Sequence, residues 1–448
     1  MNATEKISNL DNLKNRLESG RMLGARNLIN NLLPSELARL IESLPLKERA
    51  IIWEMIELKN KGDVVVEVAD EVRDGLIEGM EANELISAIE GMALDDLADL
   101  VADLPETLTQ EVIRSLDHQD RERLTQVLAY DEDSAGGLMN IDIITVRPDV
   151  TVEVVLTYLR NQKTIPTGTD SIFVVNRNNV YKGALLLSSL VTEDPGKPVS
   201  EIMSKKIMPI LAKTPSDKVV REFENRDLLS APVIDDDEKL LGRITIDDVV
   251  DVIRDEAEHS LMSAAGLDEE DDMFSPATKS AKRRAIWLGV NLATAFLAAS
   301  VVDIFQTTLD KIVLLAVLMP IVPSMGGVAG TQSLTIMTRA IALGHLDKTN
   351  TKGIFRKEVL VGILNGILWA MVVGSLTYLW FSEWLLGLVI AGAMTINLIM
   401  AALAGFGIPL MLKRLNIDPA LAGGVILTTI TDVVGYISFL GLGAIFLL

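Results

Sequence analysis

The chain is 448 residues long, has no cysteine and carries a formal net charge of −21. Disulfides and thiolate metal sites are thereby excluded, and so negative a balance makes nucleic acid a poor partner. The charge is uneven: residues 273–448 hold seven acids and twelve bases, which leaves a net of −26 on residues 1–272. An acidic surface keeps a domain soluble, and it also attracts cations.

The opening residues, MNATEK, contain no apolar core of a secretory signal, which predicts a cytosolic first half. Residues 1–129 show apolar positions three and four apart and are predicted helical throughout. Segments 33–45 (LPSELARLIESLP) and 93–105 (ALDDLADLVADLP) echo one another, which predicts a superhelical stack of helices. In the second copy Asp95 and Asp99 are four apart and share a helix face. Such a pair, taken alone, is a solvated surface.

From residue 138 the pattern changes. Segments 141–146, 171–175 and 181–187 read as strands and 152–160 as a helix; the order recurs at 207–211, 216–224, 231–234, 240–244 and 247–253. This predicts a tandem α/β module. An acidic helical run then continues through Asp255, Glu256 and Glu258, with Glu269, Glu270, Asp271 and Asp272 beyond it.

Five apolar segments are long enough to cross a lipid bilayer: 285–305, 312–343, 359–381, 384–412 and 421–448. Pro320, Pro323 and Gly326-Gly327 interrupt the second, so two half-helices are an alternative for it. Basic clusters (Lys279 to Arg284; Arg339 to Lys357; Lys413 and Arg414) predict a cytosolic N-terminus and an external C-terminus. Within 421–448 the sole charge is Asp432, preceded by Thr428, Thr429 and Thr431. A carboxylate there costs roughly 2.5–3.5 kcal/mol on insertion scales, and no base in the segment offsets it. Such a group reads as a cation site.

These residues together resemble the MgtE family of magnesium channels. The resemblance rests on YDEDSAGGLM at 130–139, GGVAGTQS at 326–333, Asp418-Pro419-Ala420-Leu421 and Thr431-Asp432. It implies an all-α superhelical N-domain (1–129), an α/β tandem CBS pair (130–198 and 199–258), a long acidic connecting helix and linker (259–284), and a five-span α-helical membrane domain (285–448). It further implies a homodimer in a bacterial inner membrane, its pore on the two-fold axis. Asp432, the Thr428 carbonyl, Thr335, Thr331 and Asp418 would serve the ion path. Asp63, Asp95 and Asp99 would face Asp227, Asp248, Asp251 and Glu256, and bound Mg²⁺ would draw them together and close the pore.

This chain departs from the family at Val328 and Thr331, where asparagine is usual or frequent, and at Gly424, where some members carry a polar residue. Its pore mouth is therefore less polar. ATP-binding CBS modules hold the ribose through an aspartate after the last strand; Thr245 and Asp248 supply this in the second copy, while the first has Ser188-Ser189. Besides a Mg²⁺-gated channel, the residues are compatible with a broader divalent (Co²⁺ or Mn²⁺) channel or a proton-coupled carrier using Asp432. An intramembrane enzyme is disfavoured, since the only histidine of the membrane half is His345.

Overall fold

The computed structural model describes residues 22–77, 79–90, 92, 94–162, 165–267, 273–342, 346, 350–415 and 417–448. The predicted helix over 1–21, the acids of 269–272, His345 and Lys348 lie outside them. Two compact units are present, one of residues up to 257 with 272–274, the other of 258–271 with 275–448.

The first unit opens with short helices: α1 (Met22–Ile29), α2 (Pro34–Glu42), α3 (Leu46–Met55), α4 (Leu58–Glu67), α5 (Asp70–Ile77), α6 (Ala82–Ala88), α7 (Leu94–Asp103), α8 (Glu106–Ser115) and α9 (His118–Val127). Each begins 12 residues after the one before. Two turns of helix and a short corner make one unit, and helices pack against the second one along, α2 on α4, α4 on α6, α6 on α8 and α7 on α9. The 60-residue echo in the sequence is five periods of this smaller repeat. A superhelical stack results, with Ile41, Ile52, Val64, Leu85, Leu100 and Leu124 in its core.

Arginines close the corners. Arg49 Nε donates to the carbonyls of Ile41 (3.0 Å) and Leu44 (2.7 Å). Arg73 Nε reaches Val65 at 3.2 Å, and Arg121 Nε reaches Ile113 at 2.9 Å. In every case the donor stands eight residues after the acceptor, satisfying carbonyls that a helix end leaves orphaned.

Each α/β module forms a three-stranded sheet. In the first, β1 (Thr145–Val146) runs parallel to β2 (Ser171–Val175), which pairs antiparallel with β3 (Tyr181–Leu186). The second repeats this with β4 (Ile210–Leu211), β5 (Ser230–Ile234) and β6 (Leu240–Thr245). Helices α10 (Val152–Asn161), α11 (Leu187–Thr192), α12 (Val199–Ile202) and α13 (Ser216–Arg226) cover them. The strands predicted over 141–146 and 207–211 are shorter than expected, and the residues just before each of them pair with the other module. Asn140 exchanges two 2.8 Å backbone bonds with Arg243 on β6, and Ser204 exchanges bonds with Ala184 on β3. The turns of the two hairpins also match: Asn179 (φ 61°) and Glu238 (φ 62°) both adopt left-handed backbone. Helix α14 (Ile246–Ala264) follows β6 directly.

The second unit contains five helices long and apolar enough to span a membrane. They are α15 (Ala277–Ile304); then, after α16 (Gln306–Lys311), the pair α17 (Val313–Leu318) and α18 (Ile321–Ala342); then α19 (Thr351–Phe381), α20 (Trp384–Arg414) and α21 (Pro419–Phe446). The second span breaks only at Met319-Pro320, where proline has no N–H for the preceding turn. Pro323 is accommodated in the first turn of α18, whose N–H groups have no intrahelical partner. Gly326-Gly327 stays helical.

Helix α20 is the hub, packed against α18, α19 and α21. Small residues permit this: a Cβ on Gly374 would lie 2.9 Å from the Gly387 carbonyl, and one on Gly362 would lie 2.8 Å from the Ala402 Cβ. In lipid, where apolar faces gain little by associating, such close approach of backbones is the main source of packing energy.

Candidate ion path

Asp432 lies at the middle of α21, 13 residues and roughly 20 Å beyond Pro419. It is half-buried. The three threonines that precede it in the sequence do not all share its exposed face. Thr431 is fully buried, its Oγ1 bonded to the Leu427 carbonyl at 3.1 Å, and Thr429 Oγ1 donates to Val425 at 2.7 Å. Only Thr428 is exposed on this stretch, with its Oγ1 donating to Gly424 and Val425 at 3.1 and 3.0 Å. These donations spend the hydroxyl protons on the helix backbone and leave oxygen lone pairs outward, the polarity that a hydrated cation requires.

Helices α18 and α21 run side by side in opposite directions. The Cβ position of Gly327 is 3.9 Å from Thr431 Oγ1, that of Gly330 is 2.8 Å from Leu427 Cδ1, and that of Gly423 is 3.0 Å from Leu334 Cδ1. This pairing fixes the levels. Val328 stands near the level of Asp432, Thr331 near Thr428, and Thr335 near Gly424. Val328 (58 % exposed), Thr331 and Thr335 occupy the uncovered face of α18, while Gly424, Thr428 and Asp432 recur every fourth residue on α21. The predicted residues of the ion path thus come together on two adjacent helices.

At the beginning of α21, Asp418 acts as N-cap, accepting from the Ala420 and Leu421 amides at 2.9 and 3.3 Å. Pro419 occupies the first helical position. The Asp418 carboxylate also stands 3.3 Å from His259 Nε2, near the end of α14. Asp418 is therefore a structural acid as well as a candidate ligand.

Sequence reasoning missed Asn397. This amide on α20 is wholly buried, and its Nδ2 donates to the Val322 carbonyl at 2.7 Å. Gly326 of α18 and Gly435 of α21 make room for it; a Cβ on Gly435 would lie 2.9 Å from Pro323 Cγ and 3.1 Å from Asn397 Nδ2, and one on Gly326 would overlap the amide. Asn397 therefore sits where the two path helices and the hub converge, one turn from Asp432. A lone amide in the apolar run 384–412 was the available signal.

The acids predicted to form a sensor are spread over the first unit. Asp63 is exposed on α4 and Asp99 on α7. Asp95 lies on α7 too, its side chain outside what is described. Asp227 follows α13 in left-handed backbone (φ 50°) and is exposed. On α14, Asp251 pairs with Arg254 at 3.3 Å, and Glu256 is exposed. Asp248 instead reaches back, its Oδ2 accepting from Thr245 N (2.9 Å) and Thr245 Oγ1 (2.8 Å). That is a helix-start cap, and it occupies the pair singled out for nucleotide. Among the described residues no three of His, Asp and Glu converge closely enough to hold a metal ion. Lost hydration raises the Asp255 carboxyl above its ordinary range; Arg254 opposes this, and the negative Asp251 and Asp70 add to it.

Comparison with known proteins agrees with this layout. The divalent cation transporter model MgtE matches residues 319–442, the MgtE intracellular N domain model matches 32–133, and the CBS model matches 135–195 and 199–255. The chain belongs to the MgtE family. It is 29 % identical over 440 residues to the magnesium transporter MgtE of Thermus thermophilus, covering 97 % of this chain and 98 % of that one. To the magnesium transporter MgtE of Bacillus subtilis it is 26 % identical over 431 residues, 96 % of each chain. Among solved structures, the cytosolic domain of the Mg²⁺ channel MgtE in complex with ATP is 29 % identical, spanning 54 % of this chain and 99 % of that one at TM-score 0.49. This MgtE member is a multi-pass membrane protein with an N domain, a CBS pair and a five-span membrane unit.

Proposed function

We propose that this protein is a Mg²⁺ channel that cytosolic Mg²⁺ closes. The observation that carries the reading is Asp432, a half-buried carboxylate midway along a helix long and apolar enough to span a membrane and packed against the glycine-rich α18. Two chains meeting on a two-fold axis would bring two Asp432 carboxylates together, and a divalent ion between them offsets both repulsion and desolvation. Magnesium gives up water reluctantly, so Asp432, Thr428, Thr331 and Thr335 act on its water shell. The N-terminus faces the cytosol and the C-terminus the outside.

In the same reading, the net −26 of residues 1–272 is the sensor. Asp63, Asp95, Asp99, Asp227, Asp251 and Glu256 repel one another when free of cation, and Mg²⁺ stabilises their approach. An ion that binds the closed arrangement better shifts the population by that difference in affinity. Val328, exposed near the level of Asp432, favours a second reading in which Mn²⁺ and Co²⁺ also pass.

The test is flux into proteoliposomes while Mg²⁺ is varied on the cytosolic side. Asp432→Ala is expected to lose at least about tenfold in Mg²⁺ flux; a variant conducting like wild type refutes the pore assignment. Flux unaffected by cytosolic Mg²⁺ refutes the sensor.

A further inference from the structure

Glu358 is 3 % exposed, eight residues into α19, within the membrane unit. Its Oε2 accepts from Ser333 Oγ on α18 at 2.8 Å. A carboxylate carries about four acceptor sites, and a single hydroxyl compensates a small part of its desolvation. No ion pair joins it to Lys357, the nearest base in sequence. The carboxylate lines a cavity of about 140 Å³ between α18, α19 and α20, shared with the polar Gln332, Ser333, Lys357 and Asn365 and with apolar residues such as Leu398. That volume holds on the order of ten water-sized spheres. Four of these residues carry side-chain oxygen, on two helices, around one buried negative charge.

We propose that this cavity binds a hydrated divalent cation, with Glu358 as its charged ligand and Ser333, Gln332 and Asn365 as oxygen donors. An ionisable side chain buried in a membrane unit calls for a named partner, and the donor set is all oxygen, the preference of Mg²⁺ and Mn²⁺. The site is separate from the α18–α21 face that holds Asp432. Ser333 lies between Thr331 and Thr335 in sequence but is buried, on the opposite side of α18. A bound cation therefore grips the path helix from behind and ties it to α19. The choice of a divalent occupant rests on the transport reading above.

The test uses the full chain in detergent with Fe²⁺ as the divalent probe, ascorbate and peroxide to generate radicals locally, and mass spectrometry to locate oxidised residues. Wild type is expected to show oxidation within 329–336 and 357–365, suppressed by excess Mg²⁺. Glu358→Gln preserves the Ser333 bond and the fold, and should reduce that oxidation about tenfold. Asn365→Leu should reduce it several-fold while leaving Glu358 in place. Oxidation that is absent in wild type, or undiminished in Glu358→Gln, overturns the proposal. Asp432→Ala should abolish oxidation only around 428–432. Persistence of the cavity signal there separates this site from the pore, and loss of the 428–432 signal in wild type would count against the pore alone.

Discussion

Asn397 shows how a single side chain can pin together the helices of the candidate ion path. Its Nδ2 has a partner, but its Oδ1 is buried with none, an arrangement that costs about 1–3 kcal/mol. The amide therefore fixes geometry rather than adding stability. Gly435→Ala should destabilise the protein by about 1–3 kcal/mol, because the added methyl meets Pro323 and the amide together. The double change Gly435→Ala, Asn397→Ala should recover part of that loss, read as a coupling between the two melting temperatures in detergent. Strict additivity would mean that the residues do not meet. Val328→Asn belongs to the same scale: a polar group near the level of Asp432 should raise the Mg²⁺ over Mn²⁺ flux ratio by about fivefold, the worth of one net hydrogen bond. An unchanged ratio would remove Val328 from the path. Asp432 was legible in the sequence because a lone charge in an apolar helix is costly wherever it points. Asn397 was not, because its meaning comes from glycines on two other helices that only the fold brings to it.

Elements repeat here with more regularity than their side chains do. Nine helices among the described residues start at 12-residue intervals, yet few identities recur, since a superhelical stack requires only an apolar face and a closed corner. The sequence echo between 33–45 and 93–105 pointed to the stack, and its spacing is five of the 12-residue periods that the helices follow. Arginine was the missed signal: Arg49, Arg73 and Arg121 fall on multiples of 24 residues, where each donates to a helix end. Bases in so acidic a segment read as solvated charge until their acceptors are seen. Arg49 is 3 % exposed whereas Arg121 is exposed. Arg49→Ala should thus cost about 2–4 kcal/mol, and Arg121→Ala about 1 kcal/mol or less, since water can reach the carbonyls it leaves. Chemical denaturation of the full chain, followed through the first unit, checks the order; equal effects would reject the capping account. The short strands β1 and β4 were misjudged for a related reason. Alternation specifies a strand but not its partner, and the cross-module pairs form at Asn140 and Ser204, just before each predicted strand.

For the whole molecule, whose net charge is −21, the question is what the excess of 26 negative charges on residues 1–272 does. Two carboxylates about 6 Å apart repel by roughly 1 kcal/mol in a solvated setting, and physiological salt screens them beyond about 8 Å. Monovalent salt should therefore relieve long-range repulsion and leave the close encounters, such as that of Asp255 with Asp251 and Asp70. A divalent ion acts where salt does not. At ten times its dissociation constant it stabilises the arrangement it prefers by about 1.4 kcal/mol per site, so several weak sites together exceed the repulsion. The acidic half should become harder to unfold as Mg²⁺ is added at constant ionic strength, with slowed amide exchange in α4, α7 and α14. Asp63→Asn with Asp99→Asn should shift the Mg²⁺ midpoint upward by several-fold. Asp248→Asn should leave it unchanged, because an amide oxygen can still accept from Thr245 and the cap survives. A midpoint that moved with Asp248→Asn and not with the exposed pair would transfer the sensing role from the open helix faces to the root of α14. Equal protection by Na⁺ and Mg²⁺ at matched ionic strength would show that the acids act only through screening, and the gate would then have to be sought in the membrane unit itself.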